Sequence, residues 1–376
     1  MSAIKIMHLS EVCRVYQPET ISKKSLPADG IYPVYGANGK IGLNDKFNHE
    51  DPQLLLGCRG SVGSIHISEA FSWINGNAMV VTPFEDLVTR DYLKYALFGG
   101  INIKDAISGT AQPQITRETL SKIKIPVPSL KKQSEIIERL DKAFAEIDSL
   151  EKNLKLKDEK TNQLSQSMLS AAFINREDFD VKVTKLVEVC NLIGGGTPSK
   201  ANQDFYLGDI NWATVRDLNK RWLDKTEYRI NKKAVQESST NIIPSGNVVI
   251  ATRVGLGKVV QLAHETAINQ DLRALVPKKD GTLNSNYLFY WAISISSKIV
   301  AAGKGATVQG VTLPFLENLE ILLPSLEKQE VIVNRLDRAF SEIDKLKNQI
   351  SIEKERISSL RQSILSNAFN FKEKAA

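Results

Sequence analysis

Two arginines stand where a side chain could bind a nucleic-acid base or an anion. Arg59 follows a predicted strand at 54–58 and precedes a glycine-containing loop, and Arg253 has the same setting 194 positions later. A guanidinium in such a place can donate two parallel hydrogen bonds to a guanine edge or to a phosphate. It can equally pair with a carboxylate inside the fold. The sequence leaves both interpretations open.

Other loop residues of the same two regions carry amides, hydroxyls, cations or aromatic rings, which are the groups that contact bases and phosphates. The glutamines near Thr110 and Thr307 could also be solvated turn residues, and a single tryptophan is more often a core residue than a contact. With the two arginines, the candidate DNA-binding residues are Tyr35, Asn38, Lys40, Ser61, Gln112, Gln114, Thr197, Lys200, Trp212, Thr214, Arg216, Lys258, Lys304 and Gln309.

The sequence contains no recognisable pattern for catalysis. Its four histidines are scattered, without the His-Glu-x-x-His spacing of a zinc site. The segment 255–258 resembles part of a phosphate-binding loop, but Val259 follows it where Ser or Thr is required. The Pro-Pro-aromatic and Pro-Cys dipeptides of DNA methyltransferases are also missing. We therefore expect no catalytic residue, no metal and no cofactor.

Composition sets wide bounds. The 376 residues allow two domains, and 49 Lys and Arg against 43 Asp and Glu give a net charge of +6. This mild basicity is compatible with a polyanionic partner. The three cysteines, Cys13, Cys58 and Cys190, have no Cys-x-x-Cys spacing and are typical of buried thiols in a reducing compartment. With no leader peptide and no long apolar run, we expect a cytoplasmic protein without a membrane partner.

A long internal repeat must position these loops. Residues 125–173 recur at 321–369 without a gap, and about half of the positions are identical. The shared motifs are Pro-Ser-Leu-x-x-Gln, Arg-Leu-Asp-x-Ala-Phe, Glu-Ile-Asp and Gln-Ser-x-Leu-Ser-x-Ala-Phe. Such a repeat indicates duplication. Ser129 and Ser325 are each expected to cap a helix that contains neither Gly nor Pro until the repeat ends.

Each copy has the heptad pattern of a coiled coil. The predicted seam residues of the first helix are Leu140, Phe144, Ile147, Leu154 and Met168, and those of the second are Leu336, Phe340, Ile343, Ile350, Ile357 and Ile364. A helix of about 45 residues is roughly 65 Å long and needs a partner to bury its apolar stripe. We expect the two helices to pack antiparallel as a spacer.

The two globular segments that precede the helices resemble each other faintly. Segment 9–13 is similar to 186–190, and at an offset of 194 Gly63 matches Gly257 and Asn75 matches Asn269. The sequence thus predicts one fold used twice. The fold class is α+β, or mixed α/β: two similar recognition domains with twisted β-sheets, separated by two long antiparallel coiled-coil helices in a pseudo-twofold repeat.

The expected boundaries follow from these patterns. They are a first domain at 1–128, a first helix at 129–173, a linker at 174–182, a second domain at 183–324, a second helix at 325–369 and a tail at 370–376.

The repeat resembles that of the DNA-specificity subunit of Type I restriction-modification systems. The resemblance also covers residues 31–39, the Gly-Gly-Thr-Pro segment 195–198 and the Asp-Ile-Asn-Trp segment 209–212. It implies a clamp-like, non-catalytic subunit whose two target-recognition domains each read half of a bipartite, asymmetric site in double-stranded DNA. The implied partners are two methyltransferase subunits, which methylate adenine, and endonuclease/translocase subunits.

Two other classes of protein stay open from the sequence. A coiled-coil scaffold or adaptor would use the end domains to bind proteins, and its binding would not depend on DNA. A self-sufficient DNA methyltransferase would bind S-adenosylmethionine by itself. The resemblance favours the specificity subunit over both.

Overall fold

The computed structural model describes residues 4–109, 112–174, 182–278, 281–304 and 310–371. The chain divides into two compact units, one formed by residues 1–156 with 351–376 and the other by residues 157–350. Each unit contains a globular domain and parts of two long helices.

The globular domain of the first unit is a mixture of short strands and helices. Its strands are β1 (Lys5–His8), β2 (Cys13–Tyr16), β3 (Tyr32–Gly36), β4 (Gly39–Asn44), β5 (Leu54–Gly57), β6 (Ile65–Ile67), β7 (Trp73–Ile74), β8 (Ala78–Pro83), β9 (Ile107–Ser108), β10 (Gln114–Ile115) and β11 (Lys124–Val127). Its helices are α1 (Leu9–Val12), α2 (Arg90–Tyr95), which continues as a π-helical turn at Ala96–Gly100, and α3 (Arg117–Ser121), with 3₁₀ turns at Lys23–Ser25 and Ile103–Ala106; the first long helix, α4 (Leu130–Ile174), follows.

The globular domain of the second unit has the same kinds of element. Its strands are β12 (Lys182–Lys185), β13 (Cys190–Gly194), β14 (Ile210–Ala213), β15 (Trp222–Leu223), β16 (Tyr228–Ile230), β17 (Asn241–Ile243), β18 (Val248–Ala251), β19 (Val259–Leu262), β20 (Thr266–Ile268), β21 (Leu272–Pro277) and β22 (Glu320–Leu323). Its helices are α5 (Leu186–Val189), α6 (Lys232–Gln236), α7 (Ser285–Ser294), α8 (Ser296–Lys304) and α9 (Leu313–Glu317), with 3₁₀ turns at Gln203–Tyr206 and Val215–Asp217; the second long helix is α10 (Leu326–Phe369).

The sheets of the two domains have the same strand order. A main sheet β2-β8-β5-β6 corresponds to β13-β21-β18-β19, which β15 extends. A smaller sheet β4-β3-β7 corresponds to β16-β14-β20, which β17 extends, and the pairs β3–β7 and β14–β20 are both parallel. Cys13 and Cys190 open equivalent strands and are buried. The prediction of one fold used twice is confirmed.

The start of each long helix is bonded to its own domain by a buried glutamine. The Ser129 and Ser325 hydroxyls each accept the N–H of the residue three positions later, as expected for N-caps. Gln133 Oε1 accepts the Thr89 N–H at 2.9 Å, and its Nε2 donates to carbonyls on both sides. Gln329 makes the same three bonds to the second domain. Both copies of the repeat therefore keep the same glutamine hydrogen bonds between domain and helix.

The end of each long helix packs in the core of a unit. In the first unit Tyr92 of α2 packs on Phe369 of α10, with ring centroids 5.0 Å apart. In the second unit Tyr287 of α7 packs on Phe173 of α4 at 5.2 Å. Each unit therefore combines the beginning of one long helix with the end of the other.

Within the first unit α4 and α10 run antiparallel. Arg361 of α10 donates to Asp148 at 2.5 Å and lies over the Phe144 ring, while Phe369, two turns later, packs on Tyr92, whose hydroxyl donates to the carbonyl of Pro126 just before α4. Advancing along α10 therefore moves backward along α4. This is the antiparallel packing that the heptads predicted.

Burial follows the predicted heptads through most of each helix and departs from them near the end. The fully buried row includes Leu140, Ile147 and Leu154 in α4 and the matching row through Ile357 in α10. Nearer the C-terminal end of each helix, Met168 and Ile364 are only half-buried, and the fully buried residues are their neighbours Leu169 and Leu365. A straight α-helix has 3.6 residues per turn, so a strict seven-residue spacing drifts around it. Where the helix ends meet the domain cores, the buried residues are spaced four positions apart instead of seven.

Candidate nucleic-acid interface

The two predicted arginines lie in loops that are closed by the same pair of backbone hydrogen bonds. We call residues 57–64 the first arginine loop and residues 251–258 the second arginine loop. In each, the first residue donates its N–H to the carbonyl of the last, at 2.7 Å and 2.9 Å. The seventh residue, a glycine with φ +83° in both, donates back to the carbonyl of the first. That left-handed backbone favours glycine, which explains its recurrence.

The second residue of each loop, Cys58 or Thr252, is fixed on both sides. Its N–H donates to the turn before the adjacent strand, at Asn77 (3.0 Å) or Asp271 (2.8 Å). Its carbonyl accepts a hydrogen bond from a later segment of the same unit, at 3.1 Å and 2.8 Å. The arginine that follows therefore has the same backbone frame in both units.

Both guanidinium groups lie at the surface. Arg59 and Arg253 are exposed. Across the described ranges, which omit 110–111 and 305–309, neither side chain has a hydrogen bond or an ion pair. The interpretation of either arginine as a structural partner of a carboxylate thus has no support in the described part of the chain.

The first arginine loop lies beside the turn of the β3–β4 hairpin. The Ser64 hydroxyl donates to the carbonyl of Ala37, next to the exposed Asn38. Arg59 forms an isolated β-bridge with Gln114. The first unit therefore brings Asn38, Arg59, Ser61 and Gln114 to one surface, and Gln112 is exposed two residues before Gln114.

Tyr35 and Lys40 share an acidic partner. Lys40 Nζ donates to the Glu69 carboxylate at 3.1 Å, and the Tyr35 hydroxyl donates to it at 3.0 Å. The Lys40 hydrogen bond, followed by that of Tyr35, lowers the pKa of Glu69. Since the ion pair is solvent-exposed, little free energy opposes a transfer of Lys40 to a phosphate. The Tyr35 ring is buried and so anchors the hairpin in the core.

The second arginine loop supports a polar turn at 214–217. Lys258 Nζ donates to the carbonyl of Val215 at 3.4 Å. The Thr214 hydroxyl caps this turn by accepting the Arg216 N–H at 3.3 Å. The Arg216 side chain is exposed and 3.7 Å from the Glu227 carboxylate. The second unit thus brings four predicted residues together: Thr214, Arg216, Arg253 and Lys258.

The glycine-rich stretch 194–200 is a third segment that lies beside these residues of the second unit. The Thr197 hydroxyl donates to Gln270, whose neighbour Asp271 holds the second arginine loop. Gly195 is so close to the backbone of Ile268 that a Cβ atom would lie 2.0 Å from that carbonyl oxygen, so only glycine fits. Lys200 is exposed beyond this stretch. The exposed Gln270 is a residue that sequence reasoning missed, although its neighbour Asn269 belonged to the detected repeat.

Trp212 lies in the core and not at the surface. Only 5% of it is exposed, and its indole Nε1 donates to the carbonyl of Gly196 at 3.2 Å. Tyr206 and Tyr228 pack edge-on against it. Of its two interpretations the structure therefore favours the core residue, which holds the glycine-rich stretch in place.

Some predicted residues are not placed. Gln309 and Thr307 lie outside the described residues, as does Thr110, and Lys304 is the last residue of α8. In the described ranges, no group of three or more His, Cys, Asp or Glu side chains is arranged to hold a metal ion. None of the described helices is both long enough and apolar enough to span a membrane.

Comparison with known families adds an independent finding. The family described as "Type I restriction modification DNA specificity domain" matches residues 1–158 and 179–356. The specificity subunit of the Escherichia coli Type I restriction enzyme EcoR124I/EcoR124II is 31% identical over 260 residues, which cover 66% of this chain and 62% of that protein. The EcoBI specificity subunit of the same organism is 25% identical over 353 residues, or 84% of this chain and 72% of that one. The chain therefore spans somewhat less than two thirds of the first of these relatives.

Solved structures share the fold. One, from a study titled "Structural basis underlying complex assembly and conformational transition of the type I R-M system", has a TM-score of 0.77 at 18% identity and covers 98% of both chains. The HsdS subunit of Thermoanaerobacter tengcongensis has a TM-score of 0.52 at 19% identity, covering 98% of this chain and 97% of that one. At such identities the likeness concerns the fold alone.

Proposed function

Because the chain belongs to the Type I restriction-modification DNA specificity family, we propose that its two globular domains each read one half of a bipartite, asymmetric site in double-stranded DNA. The chain then directs methyltransferase subunits to adenine and endonuclease subunits to unmodified sites. It contributes recognition and carries no catalytic residue, metal or cofactor of its own. The reading domains are residues 1–128 and 183–324, the spacer helices 129–173 and 325–369, with a linker at 174–182 and a tail at 370–376.

The observation that carries this proposal is the pair of arginine loops. Equivalent frames present an exposed arginine without a described partner, and polar side chains surround each one. The surroundings differ: the β3–β4 hairpin with Asn38 lies beside the first loop, and the turn at 214–217 and the glycine-rich stretch lie beside the second. The same frame with different neighbours suits two domains that bind the same polymer at different sequences.

Substitution of the arginines tests the interface directly. Arg59→Ala and Arg253→Ala should each weaken sequence-specific binding by about 1–3 kcal/mol if the contact is bidentate to a base. Arg356→Ala, an exposed arginine on α10, is the matched control and should leave specificity unchanged. Unaltered specificity with reduced folding stability in the first two variants would contradict a DNA contact.

Modular reading has its own test. Replacing residues 1–127 with the matching segment of a relative should change one half of the methylated sequence and leave the other half as it was. Base-resolution methylation mapping of cells with each chimaera gives the result. A change in both halves would argue against one domain reading one half-site.

Salt dependence separates the proposal from a protein-binding adaptor. Release of counterions from phosphates makes the affinity of a DNA reader fall steeply with salt concentration. Filter binding of duplex DNA across a salt series measures that slope. A protein-binding adaptor would not bind the DNA at any salt concentration. Calorimetric titration with S-adenosylmethionine tests the remaining class, since a self-sufficient methyltransferase would bind the cofactor.

Two methyltransferase subunits are proposed because the long helices carry the same apolar surface residues in both units. Leu150 and Leu360 of the first unit are 49% and 46% exposed, and their equivalents Leu346 and Leu164 of the second are 45% and 47% exposed. Identical exposed leucines suit two copies of one partner. Leu150→Glu should reduce the bound methyltransferase subunits from two to one in native mass spectrometry, whereas Gln163→Glu, at an exposed position that is already polar, should retain both.

A further inference from the structure

One arginine of the second unit ties three parts of that unit together. Arg221 follows the polar turn at 214–217 and directly precedes β15. Its Nη1 donates to the Asp337 carboxylate of α10 at 2.5 Å, its Nη2 to the Asn286 side chain of α7 at 2.9 Å and its Nε to Gln261 of β19 at 3.1 Å. All three directions of the guanidinium fork are therefore occupied.

The surroundings hold the guanidinium in one orientation. It lies over the Phe289 and Tyr290 rings, 4.9 Å and 5.1 Å from their centroids. Gln261 is fully buried and itself donates to Asn286 at 3.1 Å. The Tyr290 hydroxyl donates to the same Asp337 oxygen at 2.6 Å. A network whose donors and acceptors are satisfied by one another specifies a single geometry.

The first unit lacks this arginine. Its equivalent tyrosine, Tyr95, donates to the equivalent aspartate, Asp141, and packs on Phe144 as Tyr290 packs on Phe340. Among the described residues no arginine reaches Asp141. The tyrosine–aspartate contact is thus common to both units, and in the described part of the chain an arginine joins it in the second unit only.

We propose that Arg221 is a positioning residue, which fixes the polar turn at 214–217 relative to α10 and so restricts the half-site spacing that the second domain accepts. This inference rests on the proposed function. Arg221 does not touch DNA. It transmits the position of Thr214 and Arg216 to the helix through Asp337, because its backbone follows the turn while its side chain is bonded to α7, β19 and α10.

Methylation mapping of cells that carry the complete system tests this role through the distribution of spacer lengths among methylated sites. In Arg221→Met, methylation at sites whose spacer is one base pair longer or shorter should rise about tenfold relative to the parent, while both half-site sequences stay the same. Arg221→Lys keeps the charge near Asp337 but loses the fork, and should give a smaller rise in the same direction.

Arg361→Met is the matched control. Its side chain is 27% exposed, against 29% for Arg221, and it forms an equally short ion pair with Asp148, yet it joins only the two helices of the first unit. It should lower thermal stability without widening the spacer distribution. Asp337→Asn provides a second variant of the network if Arg221→Met does not fold, and should also widen the distribution.

The outcomes separate the two proposals. An unchanged spacer distribution in folded Arg221→Met or Asp337→Asn overturns the positioning role and leaves the proposed function intact. Equal widening in Arg361→Met also overturns it, since any loss of stability would then suffice. If the parental chain itself directs methylation to no bipartite motif, both the proposed function and this inference fail.

Discussion

At the scale of single residues, the recurrence of Gln133 and Gln329 was visible in the sequence but its purpose was not. The Pro-Ser-Leu-x-x-Gln motif identified the repeat, yet nothing in the residue types indicated that the amide would enter the neighbouring domain. Two of the three partners of each amide are the N–H and carbonyl groups that precede α2 or α7, more than forty positions away in the chain. Such contacts depend on tertiary packing, which local patterns do not contain.

Substituting these glutamines should be costly. Gln133→Leu keeps the approximate volume but leaves the Thr89 N–H and two carbonyls without the buried amide that pairs with them, at about 1–3 kcal/mol for each unsatisfied group. Urea unfolding should show the loss in Gln133→Leu and Gln329→Leu. The exposed Gln163→Leu should change stability by less than about 0.5 kcal/mol. A buried glutamine variant as stable as the parent would mean that water replaces the amide.

The predicted buried thiols provide a second residue-scale test. Burial raises the pKa of both Cys13 and Cys190 to about 12. Because the reactive species is the thiolate, a raised pKa keeps these groups protonated and unreactive at pH 8, and the fraction of thiolate grows only as the pH approaches 12. Iodoacetamide labelling of the native chain at pH 8 should be slow at both sites and fast in urea. Rapid native labelling would show that the cores open.

At the scale of elements, the sequence predicted the long helices well because heptad spacing is a local signal. It also placed the strand at 54–58 close to β5. What it could not predict was the change of buried row near the helix ends, since this depends on the domain cores that receive Leu169, Leu365, Phe173 and Phe369. Trp212 is a similar case: its type suited a base contact, and only the packing of the second unit places it in the core.

The crossed packing of the helix ends gives an element-scale prediction. Phe369→Ala should destabilise the first unit, and Phe173→Ala the second, by about 3–5 kcal/mol each, because each ring fills the core beside a buried tyrosine. Hydrogen exchange followed by peptide should assign each loss to its unit: peptides around Tyr92 for the first variant, and around Tyr287 for the second. Loss of protection in the opposite unit would contradict this packing.

At the scale of the whole molecule, the fold class predicted from the duplication is confirmed, and the half-site spacing is the property that the long helices should control. An insertion of seven residues after Glu159 preserves the heptad phase and lengthens α4 by about 10 Å, comparable to three base pairs at roughly 3.4 Å each. Three or five inserted residues rotate the seam away from its partner and should reduce stability.

The middle of α4 should tolerate such an insertion better than the middle of α10. Its buried row there contains Thr161 and Ser165, whose hydroxyls donate to their own helix at 2.7 Å and 2.9 Å, whereas α10 buries Ile343, Ile350 and Ile357. A seam with polar members loses less apolar burial when it is displaced. Spacer lengths in the methylated motifs of folded insertion variants give the measurement. An in-phase variant that still methylates with the parental spacer would show that helix length does not set the distance between half-sites.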